Sequence, residues 1–291
     1  MFLLGADPEL FVKDKAGKFI SGYGMIPGTK DEPFKVESGA VQVDGMALEF
    51  NIDPAKSARE FSSNIKKVMT SLKGMVGDVE LAAVPTAYFG KEYMETQPKE
   101  ALELGCDPDY DAYSGKANPR PDGNVAFRTG AGHIHIGWTE GQDPMNIHHF
   151  EACRLVTRAL DYYLFPLSQI WDKDKKRREL YGKQGAFRPK PYGVEYRVLS
   201  NAWVGNTVLE SIIFKTVTVI LKTLATNPNV LINFITHNFK KVEIVSLSKK
   251  QRQYIRDMLR GRWYNDWDIR TFIRNNTPYD WHQFAGDDNG I

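Results

Sequence analysis

Apolar residues recur along this chain with two periods, and each change of period marks an element. Leu3 to Lys13 reads as a strand that begins at the N-terminus. Residues 15–39 carry Gly22, Gly24, Pro27, Gly28 and Pro33 and read as hairpins and loops. Strand character returns from Val41 to Ile52, interrupted by the turn or bulge signal Asp44-Gly45. Asp53-Pro54 predicts a helix start, and Phe61, Ile65, Val68, Met69 and Leu72 repeat at helical spacing up to Gly74. A strand is expected over 79–88, a partly helical stretch over 91–104 and a long polar loop over 105–123. A loop of that length in a compact domain usually serves as a lid or a binding loop.

The second half repeats the alternation. Residues 125–128 lead into Gly130-Ala131-Gly132-His133-Ile134-His135-Ile136-Gly137-Trp138. A period of two puts His133 and His135 on one face, their Cα atoms roughly 7 Å apart. Ile134 and Ile136 point into a core. The flanking glycines admit another backbone or something bulky close by. Asp143-Pro144 predicts the next helix, whose stripe runs through Ala152, Leu155, Val156, Ala159, Leu160, Tyr163 and Leu164 to a stop or kink at Pro166. His148 and His149, near its start, read as surface residues. The charge run Asp172 to Arg178 reads as a solvated helix end. Tyr181 to Pro191 reads as a mobile basic loop that closes over polyanions with Lys183, Arg188 and Lys190. Tyr192 to Leu199 is a strand with Glu195 and Arg197 on one face, and a buried helix follows from Thr207 to Ala225. Beyond Asn227-Pro228 come a short fragment, a Ser248-capped helix and a Trp-rich tail.

Composition narrows the classes. With 42% apolar and 25% charged residues the chain is of ordinary globular type, and a net charge of +2 gives no basic field for nucleic acid. Cys106 and Cys153 make neither a disulfide framework nor a zinc spacing, which suits a reducing cytoplasm. The N-terminus lacks the basic region and apolar run of a signal peptide. Apolar runs in the 207–225 helix never exceed three residues, so no membrane span is expected.

The chemistry sits on strands whose other face is apolar. Asp7-Pro8-Glu9 sets two carboxylates two residues apart, either in a turn with exposed acids or around a cation; Pro8 places this position at an edge or a bulge. Glu49, between Leu48 and Phe50, is paired, on a wet face or a metal ligand. The His133/His135 pair binds a metal or phosphate, or is hydrogen-bonded within a sheet. Glu195 and Arg197 pair with each other or join a site. Four such strands together suggest one concave sheet whose inner face is a site. Hard oxygen ligands with few imidazoles suit Mg²⁺ or Mn²⁺ over Zn²⁺, and arginines beside them suit phosphate oxygens. That is the apparatus of phosphoryl transfer.

In this order the motifs resemble the glutamine synthetase and γ-glutamylcysteine ligase superfamily, and most of all the small phage-encoded carboxylate–amine ligases. Asp7-Pro8-Glu9 is similar to a first metal strand of Glu-x-Glu type. Gly130 to His135 is similar to a Gly-Ser-Gly-x-His-x-His strand, and Glu195-Tyr196-Arg197 to a late Glu-x-Arg strand. The resemblance spans about residues 5 to 201. It implies an α+β fold: a curved, mainly antiparallel sheet with helices on its convex face. It also implies a single catalytic domain over 1–291, with a core over 1–225 and a helical extension over 226–291. Glu9 and Glu49 would hold one Mg²⁺ or Mn²⁺, and Asp7, His133 and Glu195 a second. His135, Arg197, Lys183 and Arg188 would meet ATP. Arg197 would steady the transferring phosphoryl group, with Arg128 and Arg188 on the substrate carboxylate and γ-phosphate. The implied reaction is ATP-dependent amide formation through an acyl phosphate, in the cytoplasm of a host if phage-encoded. Its partners would be small-molecule, peptide or protein carboxylates and amines, with no nucleic acid or membrane partner and with oligomers possible. A guanidino-kinase-like phosphotransferase and a non-enzymatic phage structural or binding protein that kept the fold are the alternatives. The family's second glutamate, some eight residues before the position of Glu49, falls on Val41, so either Asp44 or Glu37 substitutes for it or one metal is lost or weak.

Overall fold

The computed structural model describes residues 2–102, 109–120 and 125–227 of the chain. Cys106 and the readings made beyond residue 227 lie outside the described residues. Twelve strands and six α-helices are found among the described residues. In chain order they are β1 (Leu3–Lys13), β2 (Phe19–Ile20), β3 (Phe34–Val36), β4 (Gly39–Asp44), β5 (Ala47–Ile52), α1 (Ala58–Val76), β6 (Glu80–Ala82), β7 (Thr86–Tyr88), α2 (Lys91–Glu95), α3 (Lys99–Leu102), β8 (Tyr110–Asp111), β9 (Phe127–Thr129), β10 (Gly132–Gly137), α4 (Ile147–Ser168), α5 (Lys175–Leu180), β11 (Ala186–Lys190), β12 (Gly193–Tyr196) and α6 (Thr207–Thr226).

The main sheet runs β3-β4-β5-β1-β10-β12-β11-β8, with β2 and β6 also pairing with β1, and its pairings are antiparallel. The fold is α+β, as expected. Alternation decides what each face holds. Leu4, Ala6, Leu10, Ile134, Ile136, Val194 and Tyr196 turn into the core shared with the helices. Phe61 of α1 lies against Trp203 and against Phe214 of α6, with ring centroids 6.0 and 5.7 Å away. Each such buried ring stabilises the packing by about 1.5–3 kcal/mol. The intervening residues, Asp7, Glu9, Glu49, His133, His135 and Glu195, occupy the other face. No helix of the described residues is long and apolar enough to cross a membrane.

Several boundaries differ from the sequence reading. The first helix is capped by Ser57, whose hydroxyl accepts from Glu60 N–H while Glu60 reaches back to Lys56 N–H, so a capping box four residues downstream wins over Asp53-Pro54. It ends at Gly77, which has φ 66°, and runs through Gly74. Asn146 caps α4, and Pro166 sits inside its last turn. Pro8 is on no edge, because β1 is central. The register slips by one residue between Glu9↔Glu49 and Leu4↔Ala55, and Pro8 lies in that slip, where no amide donor is needed. The basic loop expected over 181–191 is half strand: Arg188 and Lys190 are fixed on β11, paired with β12.

The glycines before His133 are explained by what passes over them. A Cβ on Gly132 would sit 2.4 Å from Ser200 O and 2.6 Å from Trp203 Nε1. The 3₁₀ turn Asn201–Trp203 closes on this point, Asn201 Nδ2 donating to Glu9 O at 2.7 Å and Trp203 Nε1 to Gly132 O at 3.2 Å. The turn thus holds β1 and β10 in the register on which the polar face depends.

Candidate active site

Register brings the polar residues into one band. Glu49 lies opposite both Gln42 on β4 and Glu9 on β1. Asp7 lies opposite His133, His135 opposite Glu195, and Glu195 opposite Arg188. Residues 7, 9, 49, 133, 135, 188 and 195, scattered along the sequence, become neighbours across five adjacent strands.

Asp7, His133 and Glu195 form the tightest group. Each offers one ligand-type atom, and these atoms lie within 4.8 Å of one another. His133 Nδ1 stands 3.4 Å from Asp7 Oδ1 and 3.3 Å from Glu195 Oε1. Asp7 Oδ1 is buried and has no aligned hydrogen bond. Lone pairs close together yet misaligned for hydrogen bonding fit a shared central cation better than they fit each other. Burial opposes ionisation of Asp7, but the His135 and His133 charges outweigh it and hold the carboxyl well below its ordinary range. Burial likewise opposes Glu195, and Arg197 with the two histidines holds it well below. His135 is pushed the other way: burial lowers it, but Asp7 Oδ2, 2.9 Å from its Nε2, raises it overall. Its Nδ1 pairs with the Tyr192 hydroxyl.

Cations surround Glu195. Arg197 Nη1 bonds to its Oε1, and Arg188 Nη1 and Lys190 Nζ lie 3.3 and 3.2 Å from its Oε2. Arg197 also donates from Nε to Asp109 Oδ2 at 3.2 Å. On the other side of Asp7 the balance is acidic. Burial and the charges of Asp7, Asp44 and Glu9 push Glu49 well above its ordinary range, and burial and Asp44 raise Glu9. Glu9 Oε2 accepts from Ala131 N–H at 2.9 Å, and Gln42 Nε2 donates to Glu49 Oε2 at 2.9 Å. Val41 is buried in the core, Asp44 shares the cavity with Glu9 and Glu49, and Glu37 stands away on Lys67.

Two cavities open on this band. One, of about 100 Å³, is walled by the acids and by Arg128, Arg177, Arg188 and Arg197. The other, of about 780 Å³, lies toward the Leu3 end, with Trp138, Tyr192, His135 and Ile52 among its walls. Asp7, Glu49 and Lys30 belong to both. Lys183 is exposed and lines neither, so the band forms without it. Arg128 reaches the smaller cavity with its guanidinium tied to the carbonyls of Val125, Phe127 and Leu102.

Arg177 is a site residue the sequence reading missed. The charge run Asp172 to Arg178 is not simply a solvated end, because Arg177 is fully buried and Asp172 almost so. Arg177 donates to Val198 O at 2.9 Å and has no carboxylate within ion-pair distance among the described residues. Burial lowers it to about 10. Its neighbours pin it: Arg178 pairs with Asp172 at 3.1 Å, and the Lys176 ammonium lies over the Tyr88 and Phe127 rings. Gly182, at φ 69°, lies so close that a Cβ there would fall 1.9 Å from Arg177 Nη1. Gly182→Ala is therefore expected to cost about 1–3 kcal/mol, measured as a lower urea midpoint, from strain at a left-handed position and displacement of the guanidinium. His149 is also buried, its ring Nε2 2.8 Å from Lys190 O, and only His148 is exposed.

Carboxylates, imidazoles and guanidiniums gather on one antiparallel sheet face beside two cavities, and three of them, Asp7, His133 and Glu195, form a group that could hold a metal ion. The chain belongs to the phage phiEco32-like COOH.NH2 ligase-type 2 family, whose family model matches residues 116–273, just over half of its length. That family is of the carboxylate–amine ligase type, which forms amide bonds. No curated protein matches the chain. The matched segment carries His133, His135, Glu195 and Arg197; Asp7, Glu9 and Glu49 precede it and join it through β1 and β5.

Proposed function

We propose that this protein is an ATP- and Mg²⁺- (or Mn²⁺-) dependent carboxylate–amine ligase with a glutamine-synthetase-like sheet, working through an acyl phosphate. The observation that carries this reading is the Asp7, His133 and Glu195 group beside two cavities of unequal size, Asp7 lining both and His133 the smaller. These three residues would hold one divalent ion. Glu9 and Glu49, with Asp44 in place of the missing glutamate, would hold another. Two facing carboxylates raised by burial and by each other make an environment that a cation relieves. Bound there, a divalent ion supplies charge neutralisation to phosphate oxygens.

Size divides the substrates. A cavity of about 100 Å³ is below the ordinary range for a nucleotide-sized ligand and suits a smaller carboxylate. The larger cavity, about 780 Å³, is in the ordinary range for a nucleotide-sized ligand. ATP therefore enters on the Trp138 and Tyr192 side, and the donor carboxylate on the Arg128 and Arg177 side. The carboxylate oxygen attacks the γ-phosphorus, and the bond to the β–γ bridging oxygen breaks to release ADP. Arg197 and Arg188, held beside Glu195, take up charge on the equatorial oxygens. His135 approaches the phosphates. The amine nitrogen then attacks the acyl carbon, inorganic phosphate leaves with the bonding pair, and the amine gives up a proton. Arg177, buried without an anion, steadies the carboxylate substrate.

Calorimetric titration with ATP, with and without Mg²⁺, tests the reading, together with hydroxylamine trapping of acyl phosphate across a panel of carboxylic acids. Binding of ATP only with Mg²⁺, its loss in Asp7→Asn, and a hydroxamate product are expected. Mg²⁺-independent binding, or none, would overturn the proposal.

A further inference from the structure

Lys30 is one of three residues common to both cavities, and the other two are the carboxylates Asp7 and Glu49. Its ammonium rests against Asp44, 3.4 Å from Oδ2 and 3.5 Å from Oδ1, long contacts for a charged pair. The side chain is about half exposed, 48%. The backbone beneath it is fixed: Gly28 O accepts from Val43 N–H at 3.2 Å, and a Cβ on Gly28 would meet Val41 O at 2.4 Å. A firmly seated loop therefore carries a long flexible cation, weakly held, over a pocket of part-buried acids. The charges it faces are those of Asp44, Glu49 and Glu9.

We propose that Lys30 is a placeholder cation: it neutralises the Asp44, Glu9 and Glu49 cluster until a divalent ion displaces it, and its ammonium then moves to the junction of the two cavities to meet the phosphoryl group in transfer. The inference rests on the functional reading given above. The physical reason is competition between like charges. An ammonium and a divalent cation cannot both sit on the same carboxylates without strong repulsion, and a lysine with a four-carbon stem can give way. The junction is where it can go, because the side chain already borders both cavities. There the negative charge that builds between ADP and the acceptor carboxylate needs a counter-charge.

The test uses the whole chain, with Lys30→Met and Lys30→Arg beside the wild type. Binding of Mn²⁺ alone, followed by electron paramagnetic resonance, should be about three- to tenfold tighter in Lys30→Met, because the competing charge is gone, and unchanged in Lys30→Arg. At saturating Mg²⁺, where the competition with Lys30 is already won by the ion, ADP should bind the wild type and Lys30→Met alike. Aluminium fluoride, a mimic of the phosphoryl group in flight, should tighten ADP binding in the wild type and in Lys30→Arg, and about tenfold less in Lys30→Met. A wild type that binds Mn²⁺ with the same affinity as Lys30→Met, or equal tightening by aluminium fluoride in both, overturns the role of Lys30 and leaves the ligase reading standing. A wild type that binds neither Mn²⁺ nor Mg²⁺-ADP overturns both.

Discussion

Replacing Glu195 with alanine is expected to destabilise the ion-free protein by about 3–5 kcal/mol, the range for stripping one partner from a buried ionic cluster. Glu195 is fully buried, and its two oxygens are the anion for Arg197, Arg188 and Lys190 together, with His133 alongside. Alanine would leave two guanidiniums and an ammonium crowded in a site with little access to water. The sequence alone offers Arg197 as the single partner of Glu195; β11 adds Arg188 and Lys190, so three cations would lose their anion at once. Glu49 supplies the contrast. Its carboxyl is raised by burial and by neighbouring acids, so Glu49→Gln relieves repulsion and should keep or increase stability while weakening cation binding. Urea titrations of the two variants without divalent ion check the difference in sign. Equal losses in both would contradict this distribution of charge.

The strands that carry the site were readable because each alternates cleanly. Leu4, Ala6 and Leu10 against Asp7 and Glu9, or Ile134 and Ile136 against His133 and His135, give both the element and its polar face. Their meeting was not readable from period alone, since it depends on register, and the order of family-like motifs supplied what the period could not. Arg177 was hidden because α5 is only six residues long, too short for periodicity to reveal an inward side among Asp, Lys and Arg. Arg188 and Lys190 look like part of a mobile loop in the sequence because Gly182, Gly185, Pro189 and Pro191 carry loop signals. In the fold Pro189 is on β11, and Gly182 makes room for Arg177. His149 sits beside an exposed histidine, and the chain crossing at Lys190 together with the Trp138 ring makes it internal. Asp161 did leave a trace: a carboxylate between Leu160 and Tyr162, within an apolar stripe, has to find partners.

Burial of that carboxyl makes stability depend on pH. Asp161 is fully buried on α4, where it accepts from the Tyr196 hydroxyl at 2.8 Å and the Tyr113 hydroxyl at 3.0 Å. Burial dominates these hydrogen bonds, as well as one from Gly185, and raises the carboxyl from 3.8 to about 7. Asp111 adds to the rise. In the unfolded chain the same group ionises near 3.8, so between that pH and about 7 the folded state holds a proton that the unfolded state has lost. The sign follows: this contribution is full below about pH 4, falls as pH rises and is gone above about pH 7, a change on the order of 4 kcal/mol. An asparagine side chain at this position would be neutral throughout, and its amide can still accept from one tyrosine and donate to the other. Asp161→Asn should therefore match the wild type near pH 4 and exceed it at pH 8, with a flatter profile between. Tyr196 lies between Glu195 and Arg197 in sequence, so the clamp that Asp161 makes on β12 also fixes the strand that presents them. Chemical denaturation of both proteins from pH 4 to 8 measures the effect, and parallel profiles would show that Asp161 is ionised in the native state.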